Sequence, residues 1–240
     1  MGINLTPVVK NLLIINVLVF IIFNLAMPQL FHFLPLYYPE KQAFLDAIMG
    51  DIMARNNGVI PPEMSARIDE LSYTFKPYQV ITSMFTHFSG QHIFFNMLSL
   101  VIFGANLEMV WGGKRFLFYY LMAGVGGVFL YLVMTYVAVH YFDGTPFAAM
   151  GGASGCVFGL LAAYGLVFPE TQIQLLIPPV ALKAKYYVLI FGLIEFYGGI
   201  KSLNPDAAGP NVAHFAHLGG ALFGILLILY WNRGGRIGID

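Results

Sequence analysis

Apolar residues along this chain gather into six long runs, separated by short polar breaks and one long one. A helix crossing the hydrocarbon core of a bilayer needs about 20 such residues. The runs predict spans at about residues 10–29, 92–111, 116–139, 151–168, 185–200 and 213–231. The long polar stretch, about residues 30–85, follows the first span and holds half of the acidic residues. Within it Phe44, Ile48 and Ile52, flanked by Leu45 and Met49, recur at helical spacing beside Lys41, Asp46, Asp51 and Arg55. That pattern suits a helix lying in the membrane interface. Pro61-Pro62-Glu63 then opens a second short helix through about Leu71, since proline is tolerated in a first turn. The fold class expected is all-α: a polytopic membrane protein of six helices, one domain over residues 1–240, with a long first loop carrying interfacial helices.

Composition supports the membrane reading. Of 240 residues, 58% are hydrophobic and 10% charged, where soluble domains have about 45–50% and about 25%. The formal net charge of +0 gives no sign of nucleic-acid binding or of a polybasic lipid-binding patch. The first run could pass for a signal peptide, but it is longer than the usual apolar region. Only Met27-Pro28-Gln29-Leu30 follows it, with no small-residue cleavage pattern, so a retained helix is expected. Lys10, Lys114, Arg115, Lys183, Lys185, Arg233 and Arg236 fall on one side of the six-span arrangement, whereas the opposite short loops carry only Lys201. The positive-inside bias therefore puts both termini in the cytoplasm.

Spans two, four and six run in the same direction, so their N-terminal ends share one face of the membrane. Each carries polar groups there: His92 and Asn96, Ser154, and His214 and His217. Ser154 lies in the first turn of span four, where free backbone N–H groups and the helix dipole favour developing negative charge. A competing explanation is close helix packing, because Gly151, Gly155 and Gly159 have the small-xxx-small spacing. In span six, His217 precedes Gly220 and Gly224 on one helical face, and that glycine groove lets span six approach span four. Ser154 would then have a neighbouring imidazole base, the minimum for nucleophilic acyl transfer. With no intramembrane aspartate to orient the ring, the expectation is a dyad.

His92 and Asn96, four residues apart, project from one face of span two. They either donate hydrogen bonds to an oxyanion, worth roughly 2.7–4 kcal/mol of barrier per donor, or tie helices together at about 0.6 kcal/mol per bond. His87, His92, His214 and His217 also raise a metal site, but there is no His-Glu-x-x-His sequence, and no cysteine or carboxylate at ligand spacing within the spans. No metal or cofactor is expected. Cys156, the only cysteine, is read as a small packing residue. Glu108 is expected to cap or brace the end of span two near Lys114 and Arg115, and Glu195 in span five has no assignment.

Together, Gly152-Ala153-Ser154-Gly155, His217 with Gly220 and Gly224, and His92-x-x-x-Asn96 resemble the rhomboid intramembrane serine proteases. The segment from Asn96 through Glu108 to Trp111-Gly112 looks like the family's second span, and the likeness covers about residues 78–231. The resemblance implies the six-helix rhomboid fold of the bacterial type, in a bacterial inner membrane. It implies Ser154 as nucleophile, His217 as general base, and His92, Asn96 and the Ser154 backbone N–H as the oxyanion hole. His214, one turn earlier, has no catalytic role in the family pattern. Substrate helices would enter near spans two and five, with about Ser202 to Asn211 as a cap. Two positions depart from the pattern. Phe158 stands where a tyrosine often stacks on the histidine, and Pro77-Tyr78-Gln79-Val80 replaces a tryptophan-arginine pair.

The function expected is serine endopeptidase cleavage of transmembrane segments of other proteins, with substrate proteins and membrane lipid as the only partners. Small or helix-breaking residues are expected near the cut. The alternative is a rhomboid-like protein that binds or chaperones membrane helices without cutting them, against which the retention of both Ser154 and His217 argues. A transporter or proton relay would need paired discontinuous repeats, which the sequence lacks. Nothing in the sequence sets an oligomeric state.

Overall fold

A computed structural model describes residues 5–40, 75–142, 149–174, 180–203 and 213–233, together with Met49, Met53 and residues 57–59. The two expected interfacial helices and most of the expected cap loop lie outside the described residues. Helix α1 (Pro7–Ile21) continues as a π-helical turn, Ile22–Ala26, and a 3-10 turn, Pro28–Phe33, follows. A short helix α2 (Gln79–Thr82) leads through a 3-10 turn, Ser83–Phe85, to the second span. This span comprises α3 (Gly90–Ser99) and α4 (Ala105–Trp111), joined by a π-helical turn at Leu100–Gly104. Then come α5 (Gly113–Tyr141), α6 (Ser154–Val167), α7 (Ala184–Ser202) and α8 (Ala213–Asn232).

Four segments, Pro7–Ala26, Gly90–Trp111, Gly113–Tyr141 and His214–Asn232, are long and apolar enough to cross a membrane. The other two expected spans are shorter or more polar. Helix α6 has 14 residues, about 21 Å at helical rise. It is buried on almost every side, from Gly155 to Gly165 with only Phe158 partly exposed. A helix surrounded by protein need not match the hydrocarbon thickness. Helix α7 has 19 residues but carries Lys185, Glu195 and Lys201.

Glycines set the arrangement of the core. Helix α8 packs chiefly on α5 and α6. A Cβ on Gly220 would lie 2.0 Å from the Gly155 carbonyl oxygen, and one on Gly219 2.5 Å from that of Gly126. A Cβ on Gly127 would lie 2.7 Å from the Ala216 carbonyl oxygen. Three helices therefore meet backbone to backbone, the association small residues favour in lipid. Below this seam, the Tyr119 hydroxyl donates to the Gly159 carbonyl at 2.8 Å, and only a glycine at 224 leaves room for it.

Glu108 joins the second span to the first. Its carboxylate accepts from the Thr6 hydroxyl at 2.5 Å and from the Val8 and Val9 N–H groups at 2.9 Å each. The free N–H groups at the start of α1 are thus satisfied from another helix. Between α6 and α7 the chain makes a hairpin absent from the expected all-helical pattern. Strand β1 (Gln172–Gln174) pairs antiparallel with β2 (Ala181–Lys183), with Ile173 opposite Leu182. Glu170 beside it pairs with Lys183 at 2.6 Å and with Lys185, and these ammonium groups pull its carboxyl down to about 2.

Candidate active site

Ser154 is the first residue of α6, so its N–H is one of the helix's free donors. The approach to it is tightly held. Met150 and Leu36 exchange backbone hydrogen bonds of 2.8 Å, and the Gly152 N–H donates to the Ser83 carbonyl at 2.8 Å. Ala153 N–H donates to Nε2 of the buried His87 at 3.3 Å. Gly152 has φ +128°, a backbone conformation that disfavours a side chain. A Cβ there would also lie 2.6 Å from Nε2 of His92. This glycine therefore gives the turn before Ser154 its shape and leaves room for the His92 ring.

A cavity of about 620 Å³ lies over this turn. Ser154, His217, His92 and Asn96 all line it, drawn from α6, α8 and α3. The three polar helix ends that parity puts on one face are thus brought to a single space. The Phe158 ring, one turn after Ser154, stacks on His217 at 4.2 Å between centroids and 6° between planes. Asn96 Nδ2 donates to the His92 carbonyl at 3.0 Å, within its own helix, which leaves its second N–H for the cavity. His92 meets His87 edge to face at 5.0 Å.

Sequence reasoning missed two features. His87 entered it only as a metal candidate, yet its ring braces the turn that presents Ser154. Burial, and then the neighbouring His92, push its pKa down to about 3, so the ring stays neutral and keeps Nε2 free to accept. Glu195 had no assignment, and His214 was set apart from His217. In the structure Glu195 Oε2 lies 2.6 Å from His214 Nδ1 and 3.0 Å from His217 Nδ1. The second contact lies off the axis of a straight hydrogen bond. The signal in the sequence was an intramembrane carboxylate with no partner of its own. Cys156 is buried and unbridged, against Gly124 of α5. Among the described residues no group of three or more His, Cys, Asp or Glu side chains is placed to hold a metal ion.

Residues 74–233 match the family model described as "Rhomboid domain". The chain belongs to the rhomboid family. Among curated rhomboids it is 28% identical over 167 residues to "Rhomboid protease AarA" of Providencia stuartii, covering 68% of this chain and 58% of that one. It is 33% identical over 161 residues to the mouse "Presenilin-associated rhomboid-like protein, mitochondrial", covering 64% and 38% of the two chains. To "Rhomboid protein 1, mitochondrial" of Saccharomyces cerevisiae it is 28% identical over 166 residues, covering 67% and 44%. The chain thus spans less than two thirds of the length of these rhomboid relatives. Family and apolar helices together make it an integral membrane protein.

Proposed function

We propose that this rhomboid is a serine endopeptidase that cleaves transmembrane segments of other membrane proteins, its site built within a single membrane domain. Ser154 is the nucleophile and His217 its general base. His92, Asn96 and the Ser154 backbone N–H receive the oxyanion, while Phe158 supports the His217 ring and Gly152, Gly155, Gly220 and Gly224 allow the close approach of the elements that carry the site. The observation that carries this reading is the shared cavity, lined both by a serine at a helix N-terminus and by an imidazole of the facing helix.

The chemistry follows from that arrangement. His217 takes the Ser154 proton as the hydroxyl oxygen attacks the peptide carbonyl, then returns a proton to the leaving amine. Charge on the carbonyl oxygen meets N–H donors already in place, so little reorganisation is needed as it develops. A substrate helix must unwind locally to offer its carbonyl, which favours small or helix-breaking residues at the cut. The proposed address is a bacterial inner membrane with both termini cytoplasmic, an orientation supported by the basic short loops.

Labelling with a fluorophosphonate probe tests the assignment. Wild-type protein in detergent should label and should cut a reporter transmembrane segment. Ser154→Ala should do neither, and His217→Ala should lose roughly 10³-fold or more in cleavage. Labelling of Ser154→Ala equal to wild type would refute the nucleophile. A wild type that neither labels nor cuts, while still binding transmembrane peptides, would favour the non-proteolytic helix-binding reading.

A further inference from the structure

Resting on the reading of Ser154 and His217 as nucleophile and base, we infer that Glu195 of α7 is a positioning residue for His217, making the arrangement Ser–His–Glu rather than Ser–His alone. The Glu195 side chain is 12% exposed. A carboxylate so placed within a membrane protein is costly unless paired. Its partners are the two imidazoles of α8. Oε2 is 2.6 Å from Nδ1 of His214 and 3.0 Å from Nδ1 of His217. The histidines are three residues apart and so share a helical face, which lets both reach one oxygen. Helix α7 is shaped for this contact. A Cβ on Gly198, one turn beyond Glu195, would lie 2.5 Å from both Cε1 and Nε2 of the His214 ring.

An ionised carboxylate only accepts hydrogen bonds, so an imidazole nitrogen turned towards it carries the proton. A carboxylate oxygen 3.0 Å from Nδ1 favours the His217 tautomer with its hydrogen on Nδ1 and the lone pair on Nε2. In the first step the Ser154 O–H bond breaks and its proton binds Nε2, while Oγ bonds to the substrate carbonyl carbon and the carbonyl π pair moves to oxygen. On collapse the C–N bond breaks, and the proton on Nε2 passes to the departing amine nitrogen. Between these events His217 is an imidazolium beside the Glu195 carboxylate, which lowers the cost of its charge. Phe158 fixes the plane of the ring by stacking, and Glu195 fixes which nitrogen is free. His214 makes the straighter bond and holds the carboxylate in place.

The rival explanation is a tie between α7 and α8 with no bearing on the reaction. His214→Ala cuts that tie and Glu195→Gln only weakens it, since the amide oxygen can still accept an imidazole N–H, but only Glu195→Gln removes the negative charge from beside His217. The full chain is assayed in detergent for its rate of fluorophosphonate labelling and for kcat and KM on a reporter transmembrane segment. Glu195→Gln should slow labelling and kcat by roughly 10- to 100-fold, with KM within about twofold. That falls short of the ~10⁴-fold loss seen when a straight carboxylate–imidazole bond is neutralised. Glu195→Asp should recover part of the loss, and His214→Ala should lose less than Glu195→Gln. Equal losses in Glu195→Gln and His214→Ala, or a Glu195→Gln rate equal to wild type, would overturn the inference. The ¹⁵N spectrum of the His217 ring gives a reading independent of activity. Wild type should show the proton on Nδ1, and a proton on Nε2 refutes the positioning role even if Glu195→Gln does not fold. A wild type that fails to label counts against the protease reading, and this spectrum then decides the role of Glu195 by itself.

Discussion

At the residue scale, the site depends on imidazoles held by specific contacts. His87 is the clearest case, because its Nε2 accepts the Ala153 N–H next to Ser154. Its pKa is depressed to about 3 in the folded protein, against about 6.5 for an unfolded histidine. The unfolded chain therefore binds a proton that the folded ring refuses. This contribution to stability is complete above pH 6.5 and is lost progressively as pH falls towards 3. In His87→Gln the amide oxygen can still accept the N–H, but it does not titrate. Thermal unfolding in detergent should show the wild-type melting temperature falling more steeply than that of His87→Gln between pH 7 and pH 4. Parallel curves would remove His87 as the acid-sensitive brace. Residue identity made His92, Ser154 and His217 legible as candidates. It gave no role to His87, whose partner is a backbone N–H 66 positions away.

At the element scale, the α6–α8 contact is set by backbone atoms. A methyl group on Gly220 would lie 2.0 Å from the Gly155 carbonyl oxygen, which has no rotamer to turn away. Gly220→Ala must separate the helices carrying Ser154 and His217. A destabilisation of about 1–3 kcal/mol is expected, together with loss of labelling. Gly192→Ala is the matched control, since nothing lies within 4 Å of its Cβ position in α7. It should be neutral or stabilising by about 0.5–1 kcal/mol. Melting temperatures of the two variants compare these effects, and equal destabilisation would refute the seam as the determinant of the site. The sequence spacing showed a small-residue groove on span six. Which backbone atom filled it depended on the neighbouring helix.

For the whole molecule, the orientation rests on basic residues in short loops and on alternation of the spans. Cys156 is buried, which makes a single introduced thiol a clean reporter. In intact bacterial cells, a membrane-impermeant maleimide should label Asn57→Cys, in the long first loop. Lys114→Cys should label only after the membrane is permeabilised. Both positions are exposed in the structure, and the reverse pattern would invert the topology. The amino-acid sequence alone determined the helical membrane class, the approximate helices, the family resemblance and the candidates Ser154, His92, Asn96 and His217, which line one cavity. Those properties follow from local hydrophobicity, motif spacing and the parity of successive spans. Tertiary structure decided the partners of the isolated polar groups: Glu108 with the start of α1, His87 with Ala153, and Glu195 with His214 and His217. It also shortened α6, because a helix enclosed by protein is released from the thickness of the bilayer. Glu195 was visible in the sequence as a carboxylate in an apolar run. Its two partners lie 19 and 22 residues further along the chain, and only the packing of α7 on α8 brings their imidazoles to its oxygen.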